Sequence, residues 1–322
     1  MAPQIIFGTG GFGMDMTAFQ DADSVKALLQ ELRRLGISRL DTAARYPPLN
    51  PGRSEQLLGE AVELSRDFVI DTKVYTNTQT DGSGDLTTAA IAKSVDASLQ
   101  RLQRPEGVNV LYVHRADPST PLEEQIQGFA GQIAEGHCKA WGVSNVEPEM
   151  LEDILRLCEQ NGWPKPSYYQ GTYNVISRGM ETKLWPILQA HNIKFVAFWA
   201  LAAGFLSGKF VNGQHAGTRL GDENPLGKKM QGMYGDEVLL NAVKKFDTET
   251  RALGLTPLEV SVRWIFHHSK LTDDDCVLLG ASKNEQIIEN VTSIKKGPLS
   301  EQARLLVEEL WESVKGIRGE VI

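Results

Sequence analysis

VNVLYVH at 108–114, PLEEQIQGFAGQIAEG at 121–136 and KAWGVSN at 139–145 decide the architecture. The first and third are short apolar runs that read as strands. The second has the spacing of a helix with one buried face. Strands apolar on both faces belong to a parallel sheet covered by helices. The same alternation extends both ways. Toward the N-terminus, FVIDTK at 68–73 precedes TTAAIAKSVDASLQRL at 87–102. SRLDT at 38–42 precedes SEQLLGEAVELS at 54–65, with Ser54 as its expected N-cap, and IIFG at 5–8 precedes ADSVKALLQELRRL at 22–35, which Gly36 stops. Toward the C-terminus come a helix at 148–162, the strand SYYQ at 167–170, a helix at 181–192 interrupted at Pro186, and the strand IKFVAFWAL at 193–201. Helices at 236–253 and near 257–268, the strand CVLLG at 276–280, a helix at 284–294 and a last helix at about 299–314 complete the chain.

Eight strand–helix units over 322 residues predict the α/β class, as a closed (β/α)8 TIM barrel forming one domain over 1–322. An open doubly wound sheet is the competing arrangement. The longest stretch without periodicity is KFVNGQHAGTRLGDENPLGKKMQGMYG at 209–235, polar and rich in glycine, as functional lids or disordered stretches are.

With 41% hydrophobic and 23% charged residues the chain can bury a large core and is not disordered. A net charge of −8 argues against a nucleic-acid binder. Cys138, Cys158 and Cys276 are widely spaced and read as buried thiols in a reducing compartment. MAPQIIFGTG lacks the features of a signal peptide, and no run approaches a membrane span. The expectation is a cytoplasmic protein without a membrane partner; no metal is called for, and a homo-oligomer is left open.

Gly8, Gly10 and Gly13 spell G-x-G-x-x-G after a strand, with Asp41 ending the next. A dinucleotide fingerprint needs its third glycine to open a helix on which pyrophosphate rests. Here MDMTAFQD intervenes, so the glycines are read as a loop at the barrel mouth.

Catalytic groups of a barrel sit where strands end. Those positions hold Asp41, Tyr46 in the loop after it, Lys73 and His114. A phenol of ordinary pKa near 10 is a poor proton donor. A neighbouring Lys⁺ should lower that pKa, and a carboxylate keeps the Lys charged. A neutral His can donate a hydrogen bond to a carbonyl oxygen. Each residue alone has a bland reading as a cap, a packing group or a solvated charge. Four of them on three successive strand ends make a proton donor and oxyanion site.

With these residues in place, the chain resembles the aldo-keto reductase superfamily almost end to end. LDTAARY, DTK and LYVH carry the tetrad; GVSN at 142–145, YQGTYN at 169–174, LAAGFLSGK at 201–209 and GASKNEQIIEN at 280–290 are similar to its cofactor segments. LQRP, NGWPKPSYYQGTYN and RWIFHHS resemble the aflatoxin-aldehyde reductase branch. The resemblance implies NADPH-dependent reduction of a small aldehyde or ketone, NADH being the lesser cofactor. Tyr46 would be the acid, Lys73 and Asp41 its tuning pair, and His114 the carbonyl orienter. Ser144, Asn145 and Gln170 would hold the nicotinamide carboxamide, and Phe198 would stack on its ring. Leu201, Gly204, Ser207, Lys209 and Arg219 would follow the phosphates, and Ser282, Gln286, Glu289 and Asn290 the adenosine half.

The chain departs from the family's pattern at Trp199 and Ala200, after Phe198, and at Gln286, where some relatives carry a base. Met230 and Met233 stand where an acid-gripping Tyr and Arg are expected, and GIRGEVI is a poor match. Two rivals remain. A Schiff-base aldolase would use Lys73, but pairing with Asp41 disfavours that. A regulatory module like the potassium-channel β-subunits would retain cofactor with little turnover.

Overall fold

The computed structural model describes residues 2–224 and 227–321. Eight parallel strands close into a barrel in chain order, β1 to β8, each bonded to the next and β8 to β1. They are β1 (Gln4–Gly8), β2 (Arg39–Asp41), β3 (Val69–Lys73), β4 (Val108–Val113), β5 (Cys138–Ser144), β6 (Tyr168–Thr172), β7 (Lys194–Phe198) and β8 (Cys276–Gly280). The helices are α1 (Ala22–Leu35), α2 (Arg53–Glu60), α3 (Val62–Ser65), α4 (Thr88–Leu102), α5 (Leu122–Ala134), α6 (Pro148–Asn161), α7 (Met180–Lys183), α8 (Trp185–Ala190), α9 (Gly227–Tyr234), α10 (Glu237–Ala252), α11 (Pro257–His267), α12 (Asn284–Lys295) and α13 (Glu301–Arg318). None of the described helices is long and apolar enough to cross a membrane.

Helix α1 shows how sequence becomes structure here. Asp21 and Ser24 form a reciprocal capping box, and Gly36 closes the helix in the left-handed conformation. Val25, Leu28, Leu29 and Leu32 fall on one face and are buried; each contributes about 1.5–3 kcal/mol relative to exposure. Gly59 serves a different end. A Cβ there would collide with the Arg101 carbonyl, so its absence lets α2 and α4 pack closely.

Several expected boundaries move. The helix at 54–65 divides at Ala61, and Gly52, not Ser54, stands at its N-cap. The helix at 181–192 breaks at Leu184, ahead of Pro186, whose ring tolerates only the first turn of α8. Strand β7 stops at Phe198 because Trp199 turns to φ +53. The stretch 209–235 contains α9, and α13 runs on to Arg318.

Registered pairs decide which side chains face the barrel axis. Gly8 lies beside Asp41 and Asp41 beside Asp71. Lys73, Tyr112, Gly142 and Tyr168 are neighbours in turn, as are Ser144, Gln170, Val196 and Cys276. Neighbours in register share a face, and so do residues two apart on one strand. Ile6, Val196 and Cys276 pack together as the small inner core, so this whole set points inward. Asp41, Lys73, Ser144, Gln170 and Phe198 therefore converge at the C-terminal mouth, and His114 continues the inward row of Tyr112. Deeper in the barrel, Asp71 accepts hydrogen bonds from Arg39 and Asn109, each at 2.8 Å, and Arg39 lies over the Tyr168 ring.

Candidate active site

Asp41 and Lys73 are buried, whereas Tyr46 and His114 keep partial access to solvent. The ion pair thus lies beneath a floor formed by the phenol and the imidazole. Lys73 Nζ donates to Asp41 Oδ2 at 2.5 Å and to the Thr42 carbonyl at 2.9 Å. It stands 5.1 Å from the centroid of the Tyr46 ring. The Tyr46 and His114 rings meet edge to face, 5.5 Å between centroids at 87°.

Burial is the largest single influence on Lys73 and works against its charge, but Asp41, Tyr46 and Asp71 together outweigh it and the ammonium titrates above its ordinary range. For Tyr46 burial is the larger influence and raises the pKa, while Lys73 and Arg219 pull it down. The sequence-based expectation of a phenol more acidic than usual is met only in the sign of the Lys73 contribution. The net result is a protonated hydroxyl at neutral pH. His114 is held well below its ordinary pKa by burial, then by the charges of Lys73, Arg45 and Arg115. A neutral imidazole results, with one N–H to donate.

Neutral hydroxyls brace this floor from below. Thr9 Oγ1 and Thr42 Oγ1 lie 2.8 and 3.1 Å from Ser54 Oγ, which also meets the Thr9 carbonyl at 2.9 Å. The Ser54 N–H donates to the Tyr46 carbonyl at 3.1 Å. The expected cap is thus a buried brace. The glycine loop lies against the same ring: a Cβ on Gly10 would stand 3.6 Å from the Tyr46 edge. Helix α1 starts well after Gly13, so no helix end is delivered to a phosphate there.

Three arginines surround the mouth, and two of them, Arg45 and Arg115, were not anticipated. They adjoin Tyr46 and His114 in the chain, and both reach the loop after β3. Arg45 donates to Thr78 Oγ1, and Arg115 donates to the Thr80 carbonyl at 2.8 Å. Arg219 reaches in from the long loop; it keeps solvent-exposed surface and is close enough for Tyr46 to bear on its charge. None of the three is ion-paired among the described residues, whereas most arginines elsewhere are. The signal available for Arg45 and Arg115 was their place in strand-end loops, each next in the chain to Tyr46 or His114.

Gln170 Nε2 donates to Asp41 Oδ1 at 2.9 Å, a bond formed across the barrel. Asn145, at φ +55, donates to the His114 carbonyl and to Ser144 Oγ, each at 3.1 Å. Phe198 meets Trp199 edge to face, 5.4 Å between centroids. The strained Trp199 turn is held by its carbonyl, which accepts from Asn174 Nδ2 at 2.9 Å and from the Ala202 N–H at 2.7 Å. Ala202, Ala203 and Gly204 all take positive φ, curving the backbone from Leu201 toward Ser207. Lys209 is exposed, and its N–H donates to Ser207 Oγ at 3.4 Å.

At the β8 side, Gln286 Oε1 accepts from the Ser282 N–H at 2.6 Å and from Ser282 Oγ at 3.1 Å. The Ser282 carbonyl accepts from the Ala18 N–H at 2.8 Å, tying this loop to the one after β1. Glu289 is exposed; Asn290 is buried, its Oδ1 without a partner among the described residues. The poorly matching C-terminus has a bracing role. Arg318 donates to Ser177 Oγ at 2.8 Å and lies over Tyr234, which stacks on Phe205.

A closed parallel barrel whose strand ends gather a phenol, an imidazole and an ion-paired ammonium defines a carbonyl-directed oxidoreductase class. The chain belongs to the aldo/keto reductase family, whose model matches residues 4–312. It is 32% identical to the oxidoreductase sirO of Leptosphaeria maculans, over 98% of this chain and 95% of that protein. It is 30% identical to aflatoxin B1 aldehyde reductase member 2 of Mus musculus, over 98% and 86%. It is also 30% identical to aldo-keto reductase family 7 member A3 of Homo sapiens, over 94% and 92%.

Proposed function

We propose that the protein reduces aldehydes or ketones to alcohols with NADPH, using Tyr46 as the proton donor. The observation that carries this reading is the buried Asp41–Lys73 pair set beneath a partly accessible Tyr46, with His114 edge-on to it.

The residues present fit a nicotinamide dinucleotide laid along the mouth. Gln170 and Asn145 offer amide groups at the ends of β6 and β5, and Phe198 offers an inward ring at the end of β7. The curved backbone from Leu201 to Lys209 and the Asn290 Oδ1, which has no partner among the described residues, offer contacts further out. When bound, NADPH supplies the hydride to the carbonyl carbon. Tyr46 gives its hydroxyl proton to the carbonyl oxygen, and Lys73 stabilises the phenolate left behind. His114 donates its N–H to the same oxygen and fixes its position. Asp41 keeps Lys73 charged and still. Ser282 and Lys283 favour the phosphorylated cofactor over NADH, while Gln286 is engaged with Ser282.

A carbonyl panel followed by loss of nicotinamide absorbance, with NADPH and with NADH, tests this reading. Repeated turnover on several aldehydes that disappears in Tyr46→Phe is the expected result. Tight NADPH retention with no turnover on any carbonyl would instead favour the regulatory module.

A further inference from the structure

We propose that Gln170 is a positioning residue for the proton donor, pinning Asp41 so that nicotinamide binding and the acidity of Tyr46 share one side chain. The proposal rests on the reading of Tyr46 as the acid.

Asp41 belongs to β2 and Gln170 to β6, strands that do not pair. Their hydrogen bond therefore spans the barrel interior. Both residues and Lys73 are buried, so water does not solvate the carboxylate. Each carboxylate oxygen has its own donor: Lys73 Nζ on Oδ2 and Gln170 Nε2 on Oδ1. An ionised carboxylate only accepts hydrogen bonds, so the amide can face Asp41 only with its nitrogen. That fixes the opposite end. Gln170 Oε1 must turn away from Asp41, and it accepts no hydrogen bond among the described residues. An acceptor is thereby presented on the cofactor side, suited to the N–H₂ of a carboxamide.

The energetic consequence concerns Tyr46. Asp41 raises the Tyr46 pKa and Lys73 lowers it. A donor on Oδ1 draws off part of the Asp41 charge and leaves more of the Lys73 field acting on the phenol. It also prevents the carboxylate from rotating, which holds Lys73 Nζ at its place beside the ring.

Gln170→Leu removes both ends of the amide, and Gln170→Glu, ionised at the alkaline pH where the break is read, replaces a donor by a group that repels Asp41. The test measures the pH dependence of kcat at saturating NADPH, with NADPH affinity measured separately by quenching of protein fluorescence. In both variants the alkaline break in kcat should move upward by about half a unit or more, with NADPH binding weakened about tenfold. In an Asp41→Asn background, Gln170→Leu should add no shift of the break. A break unmoved within about 0.2 unit, with only NADPH affinity reduced, would overturn the proposal. So would an equal shift with and without the Asp41 carboxylate. If the wild-type protein reduced no carbonyl, the reading of its function would fail separately. The Tyr46 phenol could still be titrated by ultraviolet difference absorbance, wild type against Tyr46→Phe, and the same upward shift in Gln170→Leu is required.

Discussion

Lys73 holds its ammonium 5.1 Å from the centroid of the Tyr46 ring while donating to Asp41 at 2.5 Å. The cation is therefore fixed from one side and acts on the phenol from the other. Lys73→Met should raise the Tyr46 pKa further and lower turnover by about 10²-fold or more. It also leaves Asp41 buried without its counter-ion, costing about 3–5 kcal/mol. The double variant Asp41→Asn/Lys73→Met should recover much of that stability without recovering turnover. Thermal melting and pH–rate profiles of the two proteins separate the effects.

Tyr46→Phe removes a single oxygen from a ring that packs against Gly10 and His114. Melting temperature and NADPH affinity should stay close to wild type, while carbonyl reduction falls by about 10²–10⁴-fold. Turnover near wild type would transfer the acid role to another group.

His114 makes stability depend on pH in a definite direction. Its folded pKa lies well below the ordinary 6.5 because burial and nearby cations disfavour the imidazolium. Stability from this group is present above about pH 6.5, where both states are neutral. It is lost as pH falls toward the folded value, by up to about 1.4 kcal/mol per unit. His114→Gln should flatten the decline in melting temperature between pH 7 and pH 5. An unchanged slope would show that His114 protonates freely in the folded state.

Much of this was legible because a parallel barrel demands strands apolar on both faces, so VLYV and FVAF stand out from the amphipathic helices. The strand ends then named Asp41, Lys73 and His114. Helix α9 escaped notice because GKKMQGMY buries only Gly227, Met230 and Tyr234, too few apolar positions to establish a period. Ser54 was read as a cap since its local pattern suits one, while its real partners, Thr9 and Thr42, come from other strand ends. Tertiary neighbours of that kind leave no local trace. Lys73 was expected to prevail over Tyr46's surroundings because sequence shows charges but not the extent of burial.

Arg45 and Arg115 add two cations beside Tyr46 and His114 that no described carboxylate pairs. Carbonyl compounds carrying a carboxylate should bind better than their neutral isosteres. Arg45→Ala and Arg115→Ala should each raise KM for the charged substrate about tenfold or less and leave the neutral one unaffected. The charged-to-neutral KM ratio should also converge at high salt. Equal changes for both substrates would reduce these residues to supports for the loop that contains Thr78 and Thr80.

Asn174 lies wholly buried after β6, yet its amide serves two other turns. Its Nδ2 holds the Trp199 carbonyl at 2.9 Å, and its Oδ1 accepts the Ile176 N–H at 3.0 Å. A non-glycine residue at φ +53 costs roughly 1–2 kcal/mol, so the Trp199 turn needs such support. Asn174→Ala leaves the Ile176 N–H without its partner and the Trp199 carbonyl with the Ala202 N–H alone, and should lower stability by about 1–3 kcal/mol. The midpoint of urea unfolding should fall with little change in slope. Because Phe198 and Trp199 meet edge to face, release of this turn should also loosen the Phe198 ring, which we propose stacks on nicotinamide. NADPH affinity should therefore fall in Asn174→Ala even where the protein is fully folded. Asn174→Asp keeps the acceptor for Ile176 but turns repulsion on the Trp199 carbonyl. If the Asp variant binds NADPH as well as wild type, the Trp199 bond has no part in shaping the site.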